Sequence, residues 1–372
     1  MTYIHEKPDW PDFTWDRDKL SSKLSVLRYR QGELLGRMKV LGFELRTEAS
    51  LHTLTEDVVK SSAIEGEKLN PDEVRSSLAR HLGIETGGLI PAGRDVEAIV
   101  EMMLDATQNH HKALTSERLY AWHAALFPTG RSGMRMITVG AWRTEASGFM
   151  QVVSGPVGRE IVHFQAPHAE RLEKEMLRFL EWFNAEDATI DPVLKAGIAH
   201  FRFVTIHPFE DGNGRIARAI ADMSLARSDG SKERYYSMSA QIEAERKDYY
   251  ACLEQQQKND LDITSWLDWF LDCLGRAIES AEGTLSSVLY KARVWEKANQ
   301  QTVNERQKLV INRMLGGFKG YMNTSKYAKI AKCSNDTALR DIRDLLERGI
   351  IIQNPGGGRS TSYRLVTDEE LQ

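Results

Sequence analysis

A chain of 372 residues is too long for one ordinary core of ~100–200 residues, so two or three packing units are expected. At 41% hydrophobic and 27% charged it can bury sizeable cores, and it is neither disordered nor fibrous. Its 49 Lys and Arg against 53 Asp and Glu leave a net charge of −4, which excludes a whole-chain polyanion binder and makes any nucleic-acid role regional.

The first residues, Met1 to about Trp15, mix prolines, aromatics and charges without a period and read as an ordered, irregular arm. They lack the apolar core of a secretion signal, and no apolar run of ~18 residues follows anywhere, so the expectation is a soluble, non-secreted protein with no membrane partner. Cys252, Cys273 and Cys333 are scattered and odd in number, against a disulfide framework and in favour of a reducing cytoplasm. From Lys19 to about Gly66, apolar residues such as Leu20, Leu24, Leu27, Leu34 and Met38 recur at helical spacing. Asn70-Pro71 opens a new element, and 95–127 reads as two helices with Thr115 as an N-cap and Pro128-Thr129-Gly130 as a stop. Between Gly130 and Pro167, Gly133, Gly140, Gly148, Gly155 and Gly158 punctuate the short β-branched pieces Met136–Val139, Gln151–Val153 and Ile161–Phe164, which predict a small hairpin between helical blocks. Helical periodicity resumes over Ala169–Asn184, Pro192–Thr205, after Gly214, and over Ile263–Leu289, where Trp266, Trp269 and Phe270 read as core.

One segment carries chemistry: His207-Pro-Phe-Glu-Asp-Gly-Asn-Gly-Arg-Ile-Ala-Arg218. A helix ending near Ile206 delivers a histidine into a loop whose Gly212-Asn213-Gly214 can turn N–H groups inward around an anion. The next helix begins at that nest, so its positive end faces the same anion. Arg215 and Arg218, three apart, share a helix face and could hold outer phosphates; Asp211 could ligate Mg²⁺; His207 could take a proton from a hydroxyl. Singly, each is as ordinary as a surface turn or a solvated arginine.

Together these residues match the motif HxFx(D/E)GNGRxxR of Fic-domain proteins at every specified position: His207, Phe209, Asp211, Gly212, Asn213, Gly214, Arg215 and Arg218. The resemblance implies a transferase moving AMP from ATP onto a Ser, Thr or Tyr hydroxyl of a protein target, which can be the chain itself, with release of pyrophosphate. It implies His207 as general base, Asp211 as Mg²⁺ ligand, and Gly212, Asn213, Gly214, Arg215 and Arg218 as phosphate binders, with Phe209 anchoring the loop. Gln151–Phe164 stands where such proteins carry a β-hairpin flap that aligns a target segment by strand addition, with Val162 and His163 beside the nucleotide. Tyr249-Tyr250 look like the tyrosines bordering an adenine pocket, or equally a core or surface pair.

Ser61-Ser-Ala-Ile-Glu65-Gly66 is similar to the short inhibitory motif (S/T)xxxE(G/N) of the same family, here on a predicted helix ahead of the catalytic segment. Its physical reading is that Glu65 pairs with Arg218 in the seat of the γ-phosphate; otherwise Glu65 pairs with a neighbour such as Lys68 or is solvated. The same glutamate could instead position water for removal of AMP, so deadenylylation, or another nucleotide donor, stays open.

From Glu305 to Arg364 there are 12 Lys and Arg against five Asp and Glu, a local excess of seven. Helices over Arg306–Met314, Thr324–Ala331 and Asp336–Glu347, with turns at Gly316-Gly317 and Cys333-Ser334-Asn335, precede Ile350–Gln353, a PGGG turn and Thr361–Leu365; the order resembles a winged helix-turn-helix. Asn335–Leu346 would be its recognition helix with Arg340 and Arg343 outward, and Arg359, Ser360 and Thr361 its wing. DNA binding and protein interaction, including homodimerisation, are both open, and a nucleotide-sensing DNA-binding regulator is the reading from another class. The expected architecture is mainly α: residues 1–95 a helical region with the inhibitory motif, 96–290 a Fic helical bundle with a small β-hairpin flap, and 291–372 a linker helix and winged helix-turn-helix.

Overall fold

The computed structural model describes residues 2–84, 90–155, 159–315, 320–355 and 361–371. They form two compact units, Met1–Glu282 and Gly283–Gln372. Among them no helix is long and apolar enough to cross a membrane.

In the first unit the arm is tied down at both ends: Trp10 is buried with its indole N–H on Glu175 Oε2 at 2.9 Å, and Thr14 exchanges backbone hydrogen bonds with Leu261 and Ile263. Helix α1 (Arg17–Lys39) starts where Asp16 accepts the Lys19 N–H, and α2 (Phe43–Ile64) follows. Asn70 caps α3 (Pro71–His81), whose first position takes the proline that needs no N–H partner there. Next come α4 (Arg94–Gln108) and α5 (Ser116–Leu126), the latter capped by Thr115 as its sequence predicts.

The glycine-rich stretch holds two antiparallel pairs, β1 (Arg131–Ser132) with β2 (Arg135–Met136), and β3 (Gln151–Ser154) with β4 (Ile161–Gln165). The strand expected over Met136–Val139 ends at Met136: the Ile137 N–H still reaches Gly130 O in register, but the Thr138 N–H goes to the Glu210 side chain at Oε1, so the pairing stops there. In the longer pair, Val152 faces Phe164 and Val153 faces Val162, which leaves His163 as the extra residue of a bulge. Phe164 anchors the hairpin, packing edge-on against Tyr3 and His5. Gly158 and the rest of 156–158 lie outside the described residues.

The core is the antiparallel pair α7 (Pro192–Ile206) and α8 (Asn213–Asp229), reached through α6 (Leu172–Asn184). Helix α7 is buried on nearly all sides, with Val193, Ile198, Phe201, Phe203 and Ile206 inside together with the polar His200, Arg202 and Thr205. Each such side chain contributes ~1.5–3 kcal/mol of burial, so Phe203→Ala would cost ~3–5 kcal/mol. After α9 (Met238–Ala244) and α10 (Arg246–Gln257), α11 (Thr264–Asn299) lays Trp266 and Phe270 on α7. Gly197 permits that approach: a Cβ there would meet Phe270 Cδ1 at 3.0 Å, and the Trp266 indole donates to Gly197 O at 2.9 Å. Helix α11 runs ten residues past the expected end at Leu289.

Helix α2 is seated on α8 and α9 by a buried polar cluster. Asp57 Oδ1 accepts the Ser237 hydroxyl at 2.5 Å, and Arg234 binds Asp222 at 3.0 Å and Asp229 at 3.3 Å. Burial and the neighbouring Asp222 carboxylate push the Asp57 pKa well up.

In the second unit, α12 (Glu305–Leu315), α13 (Thr324–Ala331) and α14 (Asn335–Glu347) precede an antiparallel pair, β5 (Ile351–Gln353) and β6 (Tyr363–Leu365), with Ile352 facing Arg364. They enclose Val310, Ile311, Tyr327, Ile342, Leu345 and Tyr363. Asp341 ties the helices together, taking Arg306 at 2.9 Å, Asn304 at 3.1 Å and the Tyr327 hydroxyl at 3.3 Å. Arg340 and Arg343 are exposed, whereas Gly316-Gly317, the glycine turn after Pro355, Arg359 and Ser360 lie outside the described residues.

Candidate active site

The α7–α8 hairpin brings the motif residues to one point. His207 ends α7 in the left-handed region at φ 52° and ψ 58°, a conformation that costs a non-glycine residue ~1–3 kcal/mol and that is therefore held in place by its surroundings. Two contacts hold it: its N–H bonds Phe203 O at 3.0 Å, and Arg143 Nε donates to the His207 carbonyl at 2.9 Å. The Arg143 side chain, 3% exposed, also donates to Pro167 O at 2.5 Å, and its backbone N–H to Pro208 O at 2.9 Å, stitching the motif loop to the base of the β3–β4 hairpin.

His207 Nδ1 lies 3.1 Å from Val204 O. A carbonyl can only accept, so the proton sits on Nδ1 and Nε2 presents its lone pair. Burial pushes the His207 pKa down to about 4, opposed by the Val204 carbonyl, so the ring is neutral at pH 7. Phe209 anchors the loop: it is fully buried and stacks on His123 at 4.1 Å, while Asn213 brackets it by accepting the Phe209 N–H and donating to the Phe209 carbonyl.

Gly212 turns the chain at φ 79°, and a Cβ there would meet Phe127 Cε2 at 2.8 Å, so both backbone and space demand glycine. The first bond inside α8 is Ile216 N–H to Gly212 O, which leaves the N–H groups of its first turn facing outward as an anion seat. Asp211 is half-buried beside it, with Oδ1 on the Gly212 N–H at 2.6 Å and Oδ2 taking the Ser132 hydroxyl. One such carboxylate, completed by phosphate oxygens, suits Mg²⁺; among the described residues no group of three or more protein ligands could hold a metal alone.

Both motif arginines are buried and both are occupied. Arg218, 2% exposed, donates from Nε to Ser61 Oγ at 2.9 Å and from Nη2 to Ser61 O at 2.8 Å, and pairs through Nη2 with Glu65 Oε1 at 2.8 Å. Its Nη1 has no acceptor. Burial works against its charge, yet Glu65 holds its pKa above the ordinary arginine value. Arg215 stacks over Phe127 and donates to Glu67 Oε2 at 2.7 Å. Glu65 is the C-cap of α2 rather than within the helix, and Gly66 follows at φ 90°, which swings the chain back so that Glu67 reaches Arg215. Glu65 lies so close over Gly214 that a Cβ there would come within 2.2 Å of Oε1. Of the two readings of Glu65, the geometry has the Arg218 pair.

The remaining predicted residues divide. Tyr250 stands at the site, its hydroxyl 3.4 Å from Glu65 Oε2. Tyr249 lies beneath it: 1% exposed, its hydroxyl is 2.9 Å from His200 Nε2 and also interacts with the Arg218 guanidinium from the core side. Val162 is exposed on β4, and the bulged His163 turns to Glu254 at 2.7 Å and Ser154 at 2.6 Å. Sequence reasoning missed Arg143 and Glu67. Glu67 had a signal, since the acidic pair 65/67 matches the arginine pair 215/218; Arg143, acting on carbonyls, had none.

Residues 113–225 match the family model described as Fic/DOC family, and residues 3–84 match one described as a domain of unknown function, DUF4172. A protein adenylyltransferase, fic-1, of Caenorhabditis elegans is 29% identical over 206 residues, which is 55% of this chain and 37% of that protein. A protein adenylyltransferase Fic of Nematostella vectensis is 34% identical over 115 residues, 31% of this chain and 25% of that one. The chain thus spans well under half the length of these curated relatives. In fold it is similar to a Fic family protein from Desulfovibrio desulfuricans G20, at TM-score 0.54 and 23% identity over 92% of this chain and 96% of that one. A Fic domain containing signaling protein from Bacteroides thetaiotaomicron VPI-5482 gives 0.50 and 23% over 70% and 97%.

Proposed function

We propose that this chain, a Fic/DOC-family protein through its residues 113–225, is a protein adenylyltransferase that holds itself inactive. The observation that carries the reading is that Arg215 and Arg218, the cations at the α8 anion seat, are both buried and both engaged by the chain's own carboxylates, Glu67 and Glu65. Two buried guanidinium groups beside a helix N-terminus form a polyphosphate seat, and the acidic pair fills it in the resting state.

In the reaction, the neutral Nε2 of His207 takes the proton of a target hydroxyl. The hydroxyl oxygen bonds the α-phosphorus of ATP, the bond from that phosphorus to the bridging oxygen breaks, and pyrophosphate leaves. The tautomer set by Val204 O supports this role, and Arg143 fixes the ring's backbone. The first-turn N–H groups of α8 hold the phosphates, Tyr250 borders the base, and the free edges of β3 and β4 receive the target as an added strand. Asp211 would hold Mg²⁺, which would supply charge neutralisation of the phosphates. Glu65 must leave Arg218 before the γ-phosphate can be seated.

Incubation with ATP labelled at the α-phosphate, in parallel with γ-labelled ATP, tests the reaction class. Protein-bound label from the α position alone supports adenylyl transfer; label from the γ position would make the chain a phosphoryl transferase and overturn the reading.

For the second unit, a winged helix touching nucleic-acid phosphates is supported by the exposed Arg340 and Arg343 on α14 and by the local excess of seven positive charges. A DNA-shift assay at graded salt tests it. A log–log slope near zero would leave this unit with protein-interaction chemistry.

A further inference from the structure

The arm, α6 and α7 line a half-open cavity of about 480 Å³ that shares no residue with α8's anion seat, within the ~300–1,000 Å³ of small-molecule sites. Its walls include Phe13, Trp15, Trp182 and Ile198, and its lining includes Arg202, which is 3% exposed. The Arg202 guanidinium lies 5.7 Å from the Phe179 ring and 5.5 Å from the Trp182 ring, so its faces are covered by aromatics. Its N–H edge has no acceptor in contact: Nε is buried without one, no hydrogen bond or ion pair to this guanidinium occurs among the described residues, and Glu175 and Asp12 act on its charge only from beyond contact. The buried carboxylate that could have served it is spent elsewhere, since Glu175 takes Arg171 at 2.7 Å on one oxygen and the Trp10 indole at 2.9 Å on the other. Burial pushes the Arg202 pKa down to about 10, so it remains a cation at neutral pH.

A buried guanidinium with covered faces, a buried Nε lacking an acceptor and Nη groups without a hydrogen-bond partner is a half-made interaction, and the missing half is a planar pair of oxygens. We infer that this cavity is a binding site for a small aromatic monocarboxylate, its carboxylate on Arg202 and its ring among Trp15, Trp182 and Phe13. The same lining carries Arg178 as well as the exposed Asp12 and Glu181, so its two cations are matched by two carboxylates and no surplus of positive charge is left for a dianion such as phosphate. The site is distinct from the nucleotide seat and does not rest on the proposed transferase activity. Its floor is the helix whose C-cap is His207, so an occupant would brace the element that presents the base.

Isothermal titration of the full chain at pH 7 tests it, using indole-3-acetate, its neutral analogue indole-3-acetamide, and inorganic phosphate. The expected result is one saturable site for the acid, binding at least about tenfold weaker for the amide, and no change on adding Mg-ATP. Arg202→Gln should weaken the acid by at least about tenfold. No saturation by indole-3-acetate or benzoate up to ~10 mM overturns the inference, as does equal binding of acid and amide or competition by ATP. Should Arg202→Gln fail to fold, wild-type crystals soaked with the acid decide: a carboxylate anywhere but against Arg202 refutes the site.

Discussion

Replacing Glu65 with glycine should move stability and nucleotide affinity in opposite directions. Without nucleotide, Arg218 would lose its ion partner at 2.8 Å while keeping Ser61 Oγ and Ser61 O. A hydrogen bond to a charged group is worth ~1.5–3 kcal/mol, and because the Glu65 side chain is 30% exposed, screening brings the expected loss to ~1–2 kcal/mol. For a unit of this size that lowers the apo melting temperature by ~2–8 °C. The same free energy no longer opposes seating of the γ-phosphate, so ATP should bind ~5–30-fold tighter. Both are measurable by calorimetry on Glu65→Gly and on the isosteric Glu65→Gln, each combined with His207→Ala to stop turnover. A melting temperature unchanged within a degree together with ATP affinity unchanged within twofold would refute the reasoning, because the pair would then be doing nothing in either state.

Gly214→Ala puts a methyl group where Glu65 Oε1 now lies, so in the wild type it must expel Glu65 and cost ~1–2 kcal/mol; in the Glu65→Gly background the helix propensity gain of ~0.5–1 kcal/mol should make it neutral or stabilising. A denaturation cycle that is additive within ~0.5 kcal/mol would contradict that contact. His207, with its pKa pushed down to about 4, should show no titration of its Cε1 proton by NMR between pH 8 and 5 in the apo chain. Since that value lies below the ordinary ~6.5, the unfolded chain binds the extra proton first, and the stability His207 contributes is full above pH ~6.5 and lost as pH falls toward 4; His200, pushed down to about 3, acts in the same sense. A His207 midpoint near 6.5 would remove the argument for a neutral base. Asp341→Ala should unfold the second unit by ~2–4 kcal/mol, judged by urea denaturation, because Arg306, Asn304 and the Tyr327 hydroxyl would all lose one acceptor.

What was legible in the sequence were features written locally. Asn70-Pro71 and Thr115 start helices through side chains that bond their own backbone, α7 begins at Pro192 as its period predicts, and α13 occupies Thr324–Ala331 likewise. The loop from His207 to Arg218 was legible because its glycines and arginines belong to one turn and one helix start. What escaped depends on contacts between distant segments. Arg143 serves the carbonyls of His207 and Pro167, which any residue could present, so nothing in the sequence pairs them. Tyr249 and Tyr250 are adjacent, yet one step of ~100° along α10 sends the first to His200 in the core and the second to Glu65. The bulge at His163 likewise turns that side chain to Glu254, a direction no alternation rule contains.

The central claim is that His207 transfers AMP and Glu65 restrains it, and intact-mass spectrometry after incubation with Mg²⁺ and ATP tests it most directly. The wild type, Glu65→Gly, and the Glu65→Gly/His207→Ala double variant are compared side by side, with a lysate present as a source of targets. The account predicts AMP adducts, on the chain or on lysate proteins, that are abundant with Glu65→Gly, sparse with the wild type and absent with the double variant. Adducts equally abundant with wild type and Glu65→Gly, or surviving the loss of His207, would contradict it.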